Sequence, residues 1–384
     1  MNKHIPALTG LRAIAALWVL VFHVFCALQT IPGGLNHSIA WFALSGYLGV
    51  DVFFVLSGFV IAHNYAGEAL FRSPGHYGGY LWKRFARIYP VHVACMVLLP
   101  VVILALQAAH LGFASFAATS PFDTDMSLGS LLKSLLLIHA WAVPAGRYWN
   151  VASWSISAEW AAYLCFPFIA LIAVRLRSAA AVLFMIALTC ATFAAFVHFV
   201  RFDDSVGYAI PRVATAFACG VLLQRLHSLR FAATGEALTV VALVVLIFGS
   251  VALDKVQHRS ASLGYAPIVA CVLVYSLACS RGPVARFLST GAMQYGGRIS
   301  YALYLVHLPV IFAAATAINR LTFSPSRATV VFGMTAAVLV CWALAHWMYT
   351  SIETHARQWL VGLLPSPARR PVLLPLEGRP DSAQ

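Results

Sequence analysis

The run from Thr9 to Thr30, TGLRAIAALWVLVFHVFCALQT, constrains the fold more than any other stretch of the chain. It is as long as the roughly 20 residues a helix needs to cross a hydrocarbon core of about 30 Å. Yet it carries Arg12 near its start and His23 near its middle. At about 100° per residue the two return to within roughly 20° of one helix face, about 16 Å apart along the axis. One face therefore presents a permanent cation near one membrane surface and a titratable base deep inside. Ionisable groups in such places are expensive and commonly mark a substrate or proton route. The plainer alternative is that Arg12 snorkels to head groups while His23 hydrogen-bonds a neighbouring helix.

Comparable apolar runs recur at 11–30, 46–64, 88–108, 153–174, 178–200, 208–226, 235–253, 262–280, 298–318 and 328–350. Hydrophobic residues are 61% of the chain and charged residues 10%, with a mean hydropathy of +0.83. Soluble domains do not have this composition, so the expected class is an all-α, polytopic integral membrane protein. An eleventh run, Leu131 to Val143, is too short to cross comfortably. If it does not cross and the N-terminus is cytoplasmic, sixteen Lys and Arg fall on the inner side and seven on the outer, with Arg12 and Arg212 inside spans. If it crosses, that positive-inside bias collapses. The expectation is therefore ten spans, both termini cytoplasmic, and a re-entrant or interfacial segment at 131–143. Residues 1–352 form the transmembrane domain and 353–384 a poorly ordered, cytoplasmic Pro/Arg-rich tail.

The net charge of +13 is spread over loops between spans. It reads as a topology signal and an attraction for anions, and gives no support for nucleic-acid binding. The eight cysteines lie in apolar stretches and form neither C-x-x-C nor a His–Cys metal spacing. The N-terminus lacks a strong basic region, so the first run reads as an uncleaved helix.

Polar groups inside these runs carry the functional signal. GVDVFFVLSGFVIAHNY places Asp51 at the outer start of the second span, where an apolar setting demands a partner. The next loop ends in YLWKRFARIYP, putting Lys83, Arg84 and Arg87 at the cytoplasmic entry to the third span, with Pro90 suiting an interruption of helix there. Arg84 and Arg87 share a helix face. They read either as a positive-inside anchor, the simpler account from charge alone, or as a clamp for the phosphates of a cytosolic cosubstrate. The outer region 109–152 holds Asp123, Asp125, Arg147, Tyr148, Trp149 and Asn150, which suit a carbohydrate or an interfacial aromatic belt equally. WNVASWSISAEW then sets Ser155 and Glu159 on one face, with Glu159 about two turns into the fourth span. Such a carboxylate could orient an imidazole or bind an acceptor hydroxyl. Arg212, in the sixth span, could neutralise either Asp51 or Glu159. Ser300, Tyr304 and His307 share a face of the ninth span, with His307 at about the depth of His23.

In combination the pieces TGLRAIAALWVLVFH, GVDVFFVLSGFVI, KRFARIYP, WSISAEW and GRISYALYLVHLP resemble the membrane acyltransferase-3 family, in its order, from residue 9 to about 310. The family's first-helix arginine and histidine correspond to Arg12 and His23, its R-x-x-R to Arg84 and Arg87, and its S-x-E to Ser157 and Glu159. One departure is Trp160, where many relatives carry a second acidic residue. The resemblance implies acyl-CoA (acetyl-CoA in the simplest case) as cosubstrate rather than a tightly bound cofactor. It also implies a saccharide or other hydroxylated acceptor, a bacterial inner membrane, and a stand-alone member without a fused hydrolase-like domain.

Chemistry fits that expectation. A thioester is already activated, so the poor partner is the acceptor hydroxyl. His23 could remove its proton or carry the acyl group as an acyl-imidazole. The candidate site is then His23, Glu159 and Arg12 for catalysis, Arg84, Arg87 and Lys83 for the donor, and Asp51, Ser157, Tyr304 and His307 in support. The competing class is a transporter of an anionic solute or glycolipid, with Arg12, His23 and His307 along its pathway. A serine hydrolase is disfavoured because no G-x-S-x-G occurs.

Overall fold

A computed structural model describes residues 4–31, 43, 45–65, 74–110, 125–146, 148–200, 206–231, 236–249, 259–321 and 325–364. The elements are α1 (Pro6–Leu28), α2 (Gly49–Tyr65), α3 (Pro74–Ala108), α4 (Leu128–Leu135), α5 (Trp154–Arg175), α6 (Ala179–Phe199), α7 (Ala209–Ser228), α8 (Glu236–Val244), α9 (Arg259–Cys279), α10 (Pro283–Leu288), α11 (Gly291–Leu321), α12 (Arg327–Trp347) and α13 (Thr354–Gly362). Among the described residues, eight helical stretches are long and apolar enough to cross a membrane. The protein is an all-α polytopic membrane protein. The seventh and eighth predicted spans are helical over Glu236–Gly249 and Arg259–Cys279.

The site-bearing helices meet where side chains vanish. A Cβ on Gly58 of α2 would fall 2.1 Å from the Phe217 carbonyl oxygen of α7, and one on Gly220 of α7 would fall 2.2 Å from the Val55 oxygen. With no hydrophobic drive between helices in lipid, such close backbone approach is what lets them pack. α1 approaches α11 in the same way, where a Cβ on Gly297 would lie 2.1 Å from the Thr9 oxygen. The result is an inner group of α1, α2, α7 and α11 with mostly buried side chains. On the outside, α3, α6 and α12 expose Val101, Phe184, Phe199, Phe332 and Leu339, as lipid-facing surfaces require.

Two boundaries differ from the sequence reading, and the 131–143 run agrees with the expectation that it is too short to cross. α3 begins at Pro74 and continues through Pro90 and Pro100 as a single 35-residue helix. Its length of about 52 Å exceeds a hydrocarbon core. Lys83, Arg84 and Arg87 therefore lie on helix, not in a loop, and Pro90 does not end it. α12 passes without a break through a π-helical turn, Met348–Glu353, into α13, so helical structure extends beyond the expected boundary at 352. The remainder of the expected tail lies outside the described residues. Finally, the 131–143 run holds only an eight-residue helix, α4, about 12 Å long, followed by turns that bury Leu137, His139 and Ala140.

One bond shapes this outer segment from within and another ties it to the bundle. Asp125 accepts the Ser127 amide at 2.8 Å, which holds its carboxyl below the ordinary carboxylate range. Pro309 in α11 lacks an amide, so the Leu305 carbonyl loses its helical donor. Asn150 supplies the replacement, donating from Nδ2 to Leu305 O at 2.9 Å.

Candidate active site

The arginine extension of α3 faces the start of α1 across a cavity of about 110 Å³. That is space for several water molecules at about 10–15 Å³ each, or for a slender organic chain. Arg12, Arg84, Arg87, Ser57, Glu159, Tyr163, Ser300, Tyr301 and Tyr304 are among its lining residues. Residues distant in sequence thus converge because α1, α2, α3, α5 and α11 all open onto one space. Three guanidiniums against one carboxylate make the lining strongly attractive to anions.

Each charged group has a distinct environment. Arg84 donates to Tyr65 Oη at 3.3 Å and lies over that ring. Arg87 forms an ion pair with Glu353 and lies over the Tyr301 ring, 5.9 Å from its centroid. The buried Nε atoms of Arg12 and Arg84 have no hydrogen-bond partner. Glu159 Oε1 accepts from Ser57 and from Tyr163 at 2.7 Å. Two neutral donors on one oxygen fix the side chain and leave Oε2 as the oxygen not engaged by them.

His23 and His307 form a second centre one ring away. His307 Nδ1 lies 2.6 Å from the Tyr304 carbonyl, and a carbonyl can only accept, so that nitrogen bears the proton. Its Nε2 is then a lone pair, 2.9 Å from His23 Nδ1. His23 Nδ1 also lies 2.9 Å from the Val19 carbonyl. For two neutral rings the consistent assignment is a proton on His23 Nδ1, shared between Val19 O and His307 Nε2. His23 Nε2 is thereby left as the basic lone pair. Tyr304 lines the cavity, and its ring centroid lies 5.6 Å from that of His307. It stands between the arginine cavity and the histidine pair.

Not every sequence candidate joins these centres. Asp51 is fully buried and takes Arg212 Nε and Nη2 on its two oxygens, at 2.8 and 2.6 Å. This resolves the open choice of partner for Arg212, and it makes Asp51 a tie between α2 and α7. Ser157 is also buried; its hydroxyl donates to Leu137 O at 2.8 Å and accepts the Ala140 amide at 3.0 Å. It supports the 131–143 segment and does not line the cavity. Lys83 is exposed and is not among the residues lining the cavity. Trp149, a candidate sugar platform, spends its indole N–H on Ser127 O and Ser130 Oγ. Asp123 and Arg147 lie outside the described residues. The sequence reading missed Ser57, Tyr163 and Glu353. Ser57 has no charge within a helical turn in sequence and Glu353 looked like the edge of a tail, whereas Tyr163 was open to the i,i+4 spacing from Glu159.

Comparison with known proteins places the whole of this arrangement in context. A family model described as an acyltransferase domain matches residues 5–346. The chain is 34% identical over 171 residues to "Acyltransferase MdmB" of Streptomyces mycarofaciens, covering 42% of this chain and 38% of that protein. It is 24% identical over 332 residues to "O-acetyltransferase OatA" of Staphylococcus aureus, covering 80% of this chain and 51% of that one. A shorter match, 40% identical over 62 residues, covers 16% of this chain and 8% of "Peptidoglycan O-acetyltransferase OatA" of Listeria monocytogenes. The chain thus spans well under two thirds of the length of these relatives. No solved structure gives a significant match.

Proposed function

Since the chain belongs to the acyltransferase-3 family, we propose that it is a membrane O-acyltransferase that takes an acyl group, acetyl in the simplest case, from cytosolic acyl-CoA to a hydroxyl of a saccharide or similar acceptor. The observation that carries this reading is the convergence of Arg12, Arg84, Arg87 and Glu159 on one cavity beside a histidine pair. Arg84 and Arg87 would hold donor phosphates through charge-assisted hydrogen bonds. The pantetheine arm would then run along the Arg12 side of the cavity toward Tyr304. The acetyl group and the saccharide acceptor draw support from the names of the two OatA relatives, and a bacterial inner membrane follows as the setting.

In the transfer step, the acceptor oxygen bonds to the thioester carbonyl carbon while His23 Nε2 takes its proton. The tetrahedral intermediate then expels the CoA thiolate, which the imidazolium reprotonates. In the covalent variant Nε2 itself attacks, CoA leaves, and the acceptor hydroxyl cleaves the acyl-imidazole. The Nδ1–H shared with His307 serves both routes, because it holds Nε2 unprotonated. Tyr304 must move aside, or pass the thioester, for the two centres to communicate.

The deciding experiment compares acyl-CoA binding and turnover in purified wild type, Arg84→Ala and His23→Ala. The expected result is weakened binding in the arginine variant, and retained binding with lost transfer in the histidine variant. Transfer that survives His23→Ala removes the mechanism. A folded wild type that binds no acyl-CoA removes the donor, and counterflow of an anionic solute would then favour transport.

A further inference from the structure

A segment the proposed mechanism has not used packs on α3 beside Arg87. α13 docks on α3, where Trp82 Nε1 donates to the Leu360 carbonyl at 2.6 Å. Immediately before α13, Glu353 reaches into the arginine cluster and pairs with Arg87. Glu353 is only 1% exposed, and its Oε2 is buried without a hydrogen-bond partner. Arg357 follows four residues later, hence on the same helical side, and is exposed to solvent. It lies within electrostatic range of Arg84, Arg87 and Glu353. Glu353 in turn feels Arg87, Arg12 and Arg357.

Three guanidiniums, those of Arg87, Arg12 and Arg357, therefore act on the Glu353 carboxylate, which belongs to the protein itself. Its one partnered oxygen satisfies Arg87 alone. The buried Nε atoms of Arg12 and Arg84 stay unpaired, at the cost that any unmatched buried donor carries. A carboxylate offers two acceptor oxygens, whereas adjacent phosphates offer several and match planar guanidiniums in pairs. The hinge for an exchange is also present. Met348–Glu353 is a π-helical turn, a widened geometry often found at functional positions.

We propose that Glu353 is an internal stand-in for a polyphosphate. A nucleotide bearing adjacent phosphates displaces its carboxylate from Arg87 and is held by Arg84, Arg87 and Arg357, the last supplied by α13. The inference rests on the acyl-CoA reading for the identity of the nucleotide. Its chemistry, a phosphate cluster, is shared with anionic lipid head groups.

The test uses the full chain in zwitterionic-lipid nanodiscs, titrated calorimetrically with 3′-phospho-ADP and separately with acetyl-CoA. Arg357→Ala is expected to weaken both about tenfold with an unchanged unfolding midpoint, and Arg357→Lys to restore part of the loss, because a point charge lacks the paired geometry. Glu353→Gln, if folded, is expected to bind 3′-phospho-ADP more tightly than wild type, since the competitor has lost its charge. Unchanged affinity in Arg357→Ala overturns the proposal while leaving the acyl-CoA reading intact, as does weaker binding in a folded Glu353→Gln. If wild type binds neither probe, both fall together. Repeating the titration in phosphatidylglycerol nanodiscs separates the sources. Retained affinity assigns the site to the soluble nucleotide, and affinity lost there assigns it to lipid phosphate and overturns the nucleotide proposal.

Discussion

Two buried arginine sites in this protein are built to opposite rules. Arg212 is fully buried, grips both oxygens of Asp51, donates also to Tyr47 O at 2.9 Å, and lies over the Trp154 ring. Its Nη1 is buried without a hydrogen-bond partner, but its charge is matched where it stands by the bidentate Asp51. Arg12, Arg84 and Arg87 line a cavity instead, and two of them hold a buried Nε without a partner. Desolvation penalises all four arginines. At Arg212 the penalty is offset within the fold, by a bidentate pair that ties α2 to α7. At the cavity only Arg87 has a carboxylate of the fold on its guanidinium, that of Glu353, and the Nε atoms of Arg12 and Arg84 are left unpaired. An arginine inside a membrane segment is thus no functional signal by itself; the number of its hydrogen bonds already made is what separates a structural tie from a site.

The largest expected effect tests the structural side of this contrast. Asp51→Ala strands the Arg212 guanidinium in the core and is expected to cost about 3–5 kcal/mol of stability. Unfolding in detergent, followed by tryptophan fluorescence, reads it. Asp51→Leu combined with Arg212→Met should recover most of the loss, because a packed apolar pair needs no counter-ion. A single variant as stable as wild type would erase the distinction between the two sites.

The histidine pair sits between the two extremes: it is satisfied by the fold, yet leaves one lone pair open. His307→Leu removes the acceptor for His23 Nδ1–H and is expected to lower kcat on the order of a hundredfold with KM little changed, as loss of an orienting partner does. His307→Gln, whose amide oxygen can still accept that proton, should keep more of the rate. Equal losses in the two variants, or a loss confined to KM, would move His307 from orienting His23 to plain packing.

How much of this was legible in the sequence depends on distance along the chain. The helical class, and the Arg12–His23 face, follow from periodicity within one segment. Arg84 and Arg87 could be paired because a spacing of three repeats on a helix. Asp51 announced that it needed a partner, but choosing Arg212 over other cations required the α2–α7 crossing at Gly58 and Gly220, which no local pattern encodes. Ser57 stayed invisible for the same reason: a neutral hydroxyl in an apolar run becomes meaningful only when Glu159 arrives from another helix. Tyr163 is the opposite case, four residues after Glu159 on the same helix, so its i,i+4 spacing already placed it on that face. Glu353 was misjudged because Pro- and Arg-rich composition after it suggested a tail, whereas its burial comes from α3.

On the open side of the contrast, Arg84 makes one long hydrogen bond, to Tyr65. Arg84→Ala should therefore leave the unfolding midpoint within about 0.5 kcal/mol of wild type, as changes away from packed or networked features do. The same variant should reduce acetyl-CoA affinity about tenfold, the scale of one charge-assisted contact. A destabilised variant with unaltered affinity would place Arg84 with Arg212 among the structural ties.

The smallest expected effect returns to satisfaction of the backbone. Pro309 denies Leu305 O its helical donor, and Asn150 replaces it from the outer segment. Asn150→Ala leaves a buried carbonyl unpaired and is expected to cost about 1 kcal/mol. Pro309→Ala restores an amide at the position that helix geometry aims at Leu305 O. In that background the same Asn150→Ala change should cost much less, and the difference between the two costs is the coupling between outer segment and α11. If Asn150→Ala costs the same with either residue at 309, the side chain holds the segment by its packing, and the proline and the asparagine are independent features of the fold.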